Sequence, residues 1–328
     1  MNILGVNAGN GAVLYAFKKA HKIIGNIERR TDFKTPGNIQ WELNFPGIPL
    51  YNTGDSLPDF KERVDVIVGH PNCGHSSMLA YSRAKKLSNP KEDKSVTLFQ
   101  AALRKYKPKS FLFENLPKFL TNYSEKELRL YFKGYRIRII RDAVSVFGNS
   151  QVNRVRLVVI GIREDHQITL WPRRAVNTLK FTNELIGDLK EPNPIFGHFR
   201  EFIDSDITMY GGYKVKLSEV INLWNGVFKN KSRFEAVGRK YTTAPGVYKN
   251  LPNDYPNTVR KGNREFDPTG WPMSPRQRAR IQGLPDDFKI WYDESKYTLS
   301  LNKGRITVTK CFPYEISLWY LKVLKYIH

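Results

Sequence analysis

Cys73 sets the chemistry open to this chain. It follows the apolar run Val64-Asp65-Val66-Ile67-Val68, in a loop of small and polar residues running Gly69-His70-Pro71-Asn72-Cys73-Gly74-His75-Ser76-Ser77. A second apolar run, Phe111-Leu112-Phe113, ends in Glu114-Asn115, and a third, Leu157 to Ile160, is preceded by Arg154-Val155-Arg156. A thiol, a carboxyl group and a pair of guanidiniums, each at one edge of a strand, can converge on one planar polar ring. Such a set could perform nucleophilic chemistry on a pyrimidine. Each residue also has a plainer reading. A lone cysteine is usually packing, Glu114-Asn115 could be a polar pair at a strand end, and the arginines could line a basic surface. His70 and His75 flank the thiol and could meet phosphate or serve only the loop.

The elements that must position these groups alternate along the first half. Asn2–Val6 reads as a strand and Asn7–Gly11 as a glycine-containing turn. Val13–Ala20 has the spacing of a helix, and Ile23–Ile27 reads as the next strand. Val64–Val68, a helix around Val96–Tyr106, then Ser110–Phe113, Ile137–Ile140 and Leu157–Ile162 continue the pattern. Alternation of this kind implies an α/β fold with a largely parallel sheet, whose ligands bind beyond the carboxyl ends of the strands. The cysteine and the carboxylate lie at such ends, whereas the two arginines open their strand.

From about Asp165 the texture changes to short segments broken by Pro172, Gly187, Pro192, Pro194, Gly197, Gly211 and Gly212. The chain therefore divides into a catalytic and cofactor-binding domain over 1–164, a smaller irregular domain over 165–300, and a C-terminal segment over 301–328. Ile316, Trp319, Tyr320, Val323 and Leu324 give that last segment helical spacing, and it is expected to return to the first domain.

Composition narrows the partners. Fifty-three Lys and Arg against 31 Asp and Glu give 328 residues a formal charge of +22. Interleaved with aromatic residues, that excess suits a nucleic acid better than a membrane surface. No run of eighteen uninterrupted apolar residues or leader pattern is present, and two cysteines are too few for a disulfide framework or a zinc cluster. A cytoplasmic, metal-free protein is the expectation.

Six motifs in order resemble the cytosine-C5 DNA methyltransferase family along nearly the whole chain. Asn7-Ala8-Gly9-Asn10-Gly11 resembles its first cofactor motif, with Glu28 and Asp55 as acidic partners. Pro71-Asn72-Cys73 looks like the nucleophile motif and Phe113-Glu114-Asn115-Leu116 like its Glu-Asn-Val motif. Gln151-Val152-Asn153-Arg154-Val155-Arg156 is similar to Gln-x-Arg-x-Arg with one residue inserted. Arg280-Ile281-Gln282-Gly283-Leu284-Pro285 resembles the stretch that follows the target-recognition domain. The resemblance implies a Rossmann-like S-adenosylmethionine-dependent methyltransferase fold with a smaller irregular target-recognition domain, acting on double-stranded DNA as a monomer. Cys73 would attack C6 of a flipped cytosine, protonated Glu114 would hold N3 and the exocyclic amine, and Arg154 and Arg156 would hold O2 and its neighbours. The donor would lie against Asn7, Ala8, Gly9, Asn10, Gly11, Glu28, Asp55, Ser56, Pro71, Leu98, Thr309 and Lys310.

Departures from the family pattern fall at chemically telling places. Asn7 replaces an aromatic residue, Asn72 the proline before the nucleophile, and Gly74 the glutamine after it. In Thr309-Lys310-Cys311-Phe312-Pro313, Lys310 stands where the family has asparagine close to the sulfonium. Two like charges about 4 Å apart cost roughly 4 kcal/mol at an effective dielectric of 20. A carboxylated donor, carboxy-S-adenosyl-L-methionine, would turn that repulsion into a charge-assisted hydrogen bond and give 5-carboxymethylcytosine. The alternatives are an ordinary methyltransferase using S-adenosyl-L-methionine, a tRNA cytosine methyltransferase of similar fold, and a catalytically inactive DNA-binding protein. The enzyme's setting would be a bacterial cell, with a phage-encoded origin also open.

Overall fold

The computed structural model describes residues 1–28, 36–52, 56–73, 93–121, 123–174, 179–189, 207–210, 213–216, 248–249, 253–256, 265–266, 273, 275–290 and 311–328. They divide into two compact units. One holds Met1–Leu179, Gly283–Lys289 and Cys311–His328, and the other holds Lys180–Gln282 and Ile290–Lys310.

The larger unit is built on strands β1 (Asn2–Val6), β2 (Lys22–Glu28), β3 (Leu50–Asn52), β4 (Val66–Gly69), β5 (Ser110–Asn115), β6 (Tyr135–Ala143) and β7 (Val155–Arg163). They form one sheet in the order β3-β2-β1-β4-β5-β7-β6. β1 to β5 are parallel, and the near-continuous burial of β1, β2, β4 and β5 is what two covered faces require. Helices α1 (Ala12–Tyr15), α2 (Pro36–Asn44), α3 (Lys94–Tyr106), α4 (Glu125–Tyr131) and α5 (Tyr314–Leu324) complete the unit. The expected helix after the first turn is shorter than its apolar spacing suggested, because turns take over from Ala16. β3 and α2 carry too few apolar residues to announce themselves in the sequence.

β7 departs from the parallel pattern. After β6, a 3₁₀ turn at Val144–Phe147 and Gly148 with φ 96° reverse the chain, and β7 runs antiparallel to both β6 and β5. In that register Asn115 faces Leu157 and Glu114 faces Val158. The start of β7 therefore lies beside the carboxyl end of β5, which brings residues at a strand's opening to the binding edge.

Apolar packing holds this frame. Phe99, Phe111, Phe113 and Phe132 are buried and meet edge-on or tilted at 4.8–5.8 Å between ring centres, beneath Leu4, Val6, Ile67 and Val159. Each such ring contributes about 1.5–3 kcal/mol on burial. α5 seals the opposite side. Its Ser317 Oγ donates to Val13 O at 2.9 Å, and the Tyr320 hydroxyl and Ser110 Oγ are 2.7 Å apart at the foot of β5.

In the smaller unit, helices Thr182–Ile186 and Pro275–Ile281 pack through Ile186, Met273 and Ile281, and Arg280 pairs with Asp188. An antiparallel pair, Ile207–Tyr210 with Tyr213–Lys216, and a two-residue parallel pair, Tyr248–Lys249 with Glu265–Phe266, are its described strands. No helix among the described residues is long and apolar enough to cross a membrane.

Gly69, which ends β4 just before the Cys73 loop, has no room for a side chain. A Cβ there would stand 2.3 Å from the Phe99 ring and 2.7 Å from the Val6 carbonyl oxygen. Gly69→Ala is expected to destabilise the protein by about 1–3 kcal/mol, read as a lowered midpoint in chemical denaturation.

Candidate active site

Two loops and the end of β5 meet at the binding edge of the sheet. The first, between β1 and α1, is a strained turn. Asn7 has φ 54° and Gly9 φ 62°, and Gly11 caps α1 with φ 82°. Its backbone is fixed from β2: Ala8 N donates to Asn26 Oδ1 at 3.2 Å and Gly9 N to Glu28 Oε1 at 2.6 Å. Asn26 Nδ2 supports the same carboxylate oxygen at 2.9 Å. The Asn10 amide accepts from Ala12 N and donates to the Cys311 sulfur at 3.0 Å.

The second loop carries Cys73. Its Asn72 N–H donates to Ser95 Oγ at 2.8 Å, and Ser95 Oγ is 2.5 Å from Asp93 Oδ1, the residue that caps α3. Proline has no N–H to make that bond, so the departure at Asn72 has a structural use. Asn7 is tied to the same place, since its Nδ2 donates to Ser95 O at 2.8 Å. Pro71 is buried and its carbonyl lies 3.5 Å from Asn115 Nδ2. Cys73 is partly exposed, whereas Cys311 is buried and burial pushes its thiol up to about 12. Of the two cysteines, Cys73 is therefore the one open to a substrate.

The third group is the carboxylate. Glu114 is 1% exposed at the end of β5. Arg156 Nε stands 2.9 Å from Glu114 Oε1, and His70 Nε2 stands 3.1 Å from Glu114 Oε2. The two arginines part company here. Arg154 is 2% exposed, and its Nη2 donates to Cys311 O at 3.1 Å. Its Nε and Nη1 have no hydrogen-bond partner, and desolvation holds this guanidinium well below its ordinary pKa. Arg156 thus meets the carboxylate, while Arg154 turns to the backbone ahead of the last helix.

The remaining sequence candidates divide similarly. Leu98 is 3% exposed within the apolar core, so it serves packing in this structure. Ser56 is exposed beyond β3. Asp55, Gly74, His75, Thr309 and Lys310 lie outside the described residues. Ser95, Asn52 and Cys311 were missed as site residues, and His70 was not linked to Glu114. The aspartate-initiated helix at Asp93 was a readable signal for Ser95 alone. Among the described residues no His, Cys, Asp or Glu cluster could hold a metal ion.

The chain matches the C-5 cytosine-specific DNA methylase model over residues 1–302. It belongs to that family. Its members are transferases acting on DNA, and membership implies S-adenosyl-L-methionine as donor. The type II methyltransferase M.NgoPII of Neisseria gonorrhoeae is 24% identical over 99% of this chain and 96% of its own length. M.FnuDI of Fusobacterium nucleatum is 23% identical over 99% and 94%. A crystal structure described as a DNA modification methyltransferase encoded within an E. coli prophage covers 99% of this chain and 98% of its own, with a TM-score of 0.66 and 17% identity. The S. pombe Dnmt2 methyltransferase shares the fold with a TM-score of 0.57 and 13% identity.

The first turn fits a nucleoside donor. A Cβ on Gly9 would meet nothing within 4 Å, so the space above it is open. Asn52, in register with Glu28, has both side-chain polar atoms buried without a hydrogen-bond partner. A carboxylate and an unsatisfied amide, side by side at the ends of β2 and β3, suit ribose hydroxyls and a base edge.

Glu315 lies behind the catalytic edge, at the start of α5. Its Oε2 accepts from Asn149 Nδ2 at 2.9 Å, and burial pushes its carboxyl up to about 7. The residue is only partly buried as a whole, while its carboxyl is packed against Gly283. Because an unfolded glutamate titrates near 4.3, the folded state holds the extra proton between about pH 4 and 7. Its contribution to stability is complete below that window and is lost as pH rises through it. Glu315→Gln should flatten this slope, so that at pH 8 the variant gains on the order of 1–2 kcal/mol relative to its standing at pH 5, checked by denaturation across that range.

Proposed function

We propose that this enzyme alkylates C5 of cytosine in double-stranded DNA, on a base turned out of the helix, through a covalent bond from Cys73 to C6. The observation that carries the reading is the buried Glu114 carboxyl, held between Arg156 and His70 at the sheet edge where the Cys73 loop begins. C5 becomes nucleophilic only after C6 is attacked. Cys73 forms that bond, Glu114 gives a proton to N3 as electron density moves into the ring, and Arg156 holds Glu114 in place. The two unpartnered N–H groups of Arg154 are suited to the O2 side of the base. Glu28, Asn52 and the Asn7–Gly11 turn hold the donor, which supplies an electrophilic carbon on a sulfonium. After transfer a base removes the C5 proton, the C6–S bond breaks, and Cys73 is regenerated. A monomeric, cytoplasmic enzyme of bacterial or phage DNA modification suits the basic chain and its bacterial and phage relatives.

Duplex DNA containing 5-fluorocytosine tests this reading, because fluorine blocks the elimination. With donor present, a complex stable in denaturing gels is expected for the native enzyme and none for Cys73→Ser. Glu114→Gln should slow turnover by about 10²- to 10⁴-fold. A trapped complex with Cys73→Ser would refute the assignment.

The transferred group has a second reading, supported by Lys310 in place of the family's asparagine. An ammonium there favours a donor bearing a carboxylate over a bare sulfonium, which makes carboxymethyl the transferred group and 5-carboxymethylcytosine the product. Nucleoside mass spectrometry of DNA treated with either donor is expected to give the carboxymethyl product from carboxy-S-adenosyl-L-methionine, with Lys310→Asn shifting preference toward S-adenosyl-L-methionine. Methylcytosine alone, with unchanged preference in the variant, would restrict the enzyme to methyl transfer.

A further inference from the structure

We infer that His70 is the proton relay of this site: it exchanges the proton that Glu114 lends to the cytosine ring. The inference rests on the reading of Glu114 as the acid at N3. Glu114 is 1% exposed, so water does not reach its carboxyl freely. Two charged or chargeable groups face it. Arg156 lies 2.9 Å from Oε1, where its planar fork suits holding the carboxyl in place. His70 lies 3.1 Å from Oε2, and imidazole is the side chain that gains and loses a proton near neutral pH. The His70 side chain is 19% exposed, which among the described residues makes it a route from solvent to the carboxyl.

The imidazole is also well placed to stay aligned. It begins the loop that carries Cys73, one residue after the tightly packed Gly69, and its ring meets the Phe312 ring at 6.4 Å. Glu114 Oε2 has no hydrogen-bond partner of its own, which leaves this oxygen open to the imidazole proton. Among the described residues, the charged groups around this pair are Arg156 and, behind Glu114, the buried Arg154; the Cys73 thiol is three residues along the same loop.

The proton balance closes without a co-reactant. As the Cys73 sulfur bonds to C6, a proton passes from Glu114 to N3, and the His70 Nε2 proton passes to Glu114 Oε2. When the C6–S bond breaks, N3 returns its proton to Glu114 and Glu114 returns one to His70. His70 touches no reacting atom, so it acts through Glu114 as a positioning and relay residue.

Single-turnover rates across pH 5.5–9 would test this, with duplex DNA and the full-length enzyme. In the native enzyme the rate should fall on the alkaline side where imidazoles lose their proton. His70→Gln keeps a hydrogen-bonding side chain but exchanges no proton. It should lose that limb and run about 10- to 100-fold slower, while S-adenosylhomocysteine affinity by calorimetry stays within about twofold. His70→Ala with added imidazole should regain rate with the pH dependence of the free imidazole, which also covers the case in which the glutamine variant fails to fold. A glutamine variant with native rate and native limb, or an alanine variant indifferent to imidazole, would overturn the relay. If the native enzyme forms no adduct on 5-fluorocytosine DNA, the reading of Glu114 fails instead.

Discussion

A carboxyl group enclosed as fully as Glu114 must be met by hydrogen-bonding partners, because a buried polar group left without them costs about 1–3 kcal/mol. Much of the larger unit follows from delivering Arg156 to it. A strand added in the parallel sense would carry its first residues to the far edge of the sheet. β7 instead runs antiparallel between β5 and β6, so its opening residues reach the end of β5. The same reversal sets Asn149 and Gln151 in the turn that leads into β7, behind the site, where Asn149 meets Glu315.

Around that pair, two loops are coupled through one short segment. Asp93, Lys94 and Ser95 begin α3, and Ser95 serves both Asn72 in the Cys73 loop and Asn7 in the first turn. Both asparagines replace the family's usual apolar residues, an aromatic at 7 and a proline at 72, and both spend a polar group on the same serine. The two replacements therefore read as one compensated change. Rigidity that a proline ring would impose is supplied by a hydrogen bond instead.

Much of this was legible in the chain. The parallel strands announced themselves as short apolar runs, since both faces are covered, and Cys73 and Glu114 stood at their ends. The direction of β7 was not legible, because an apolar run has no polarity. The fate of Arg154 was hidden for a related reason. Two residues apart on a strand, side chains share a face, but β7 begins at Val155, so Arg154 precedes the ladder and is free of that rule. The closeness of His70 to Glu114 depends on two loops far apart in sequence, and Asn52 gains meaning only from its register with Glu28.

Cys311 receives a bond from Asn10 on its sulfur and one from Arg154 on its carbonyl. It thus joins the first turn of the chain to the approach of the last sheet strand, and it lies just ahead of α5, which docks against Val13 and Ser110. Contacts this distant in sequence carry a large loop-closure cost. During synthesis, the sheet and its catalytic edge emerge from the ribosome well before the residue that ties the first turn to Arg154. A nascent chain can therefore carry the nucleophile and the acid while its binding edge is still incomplete.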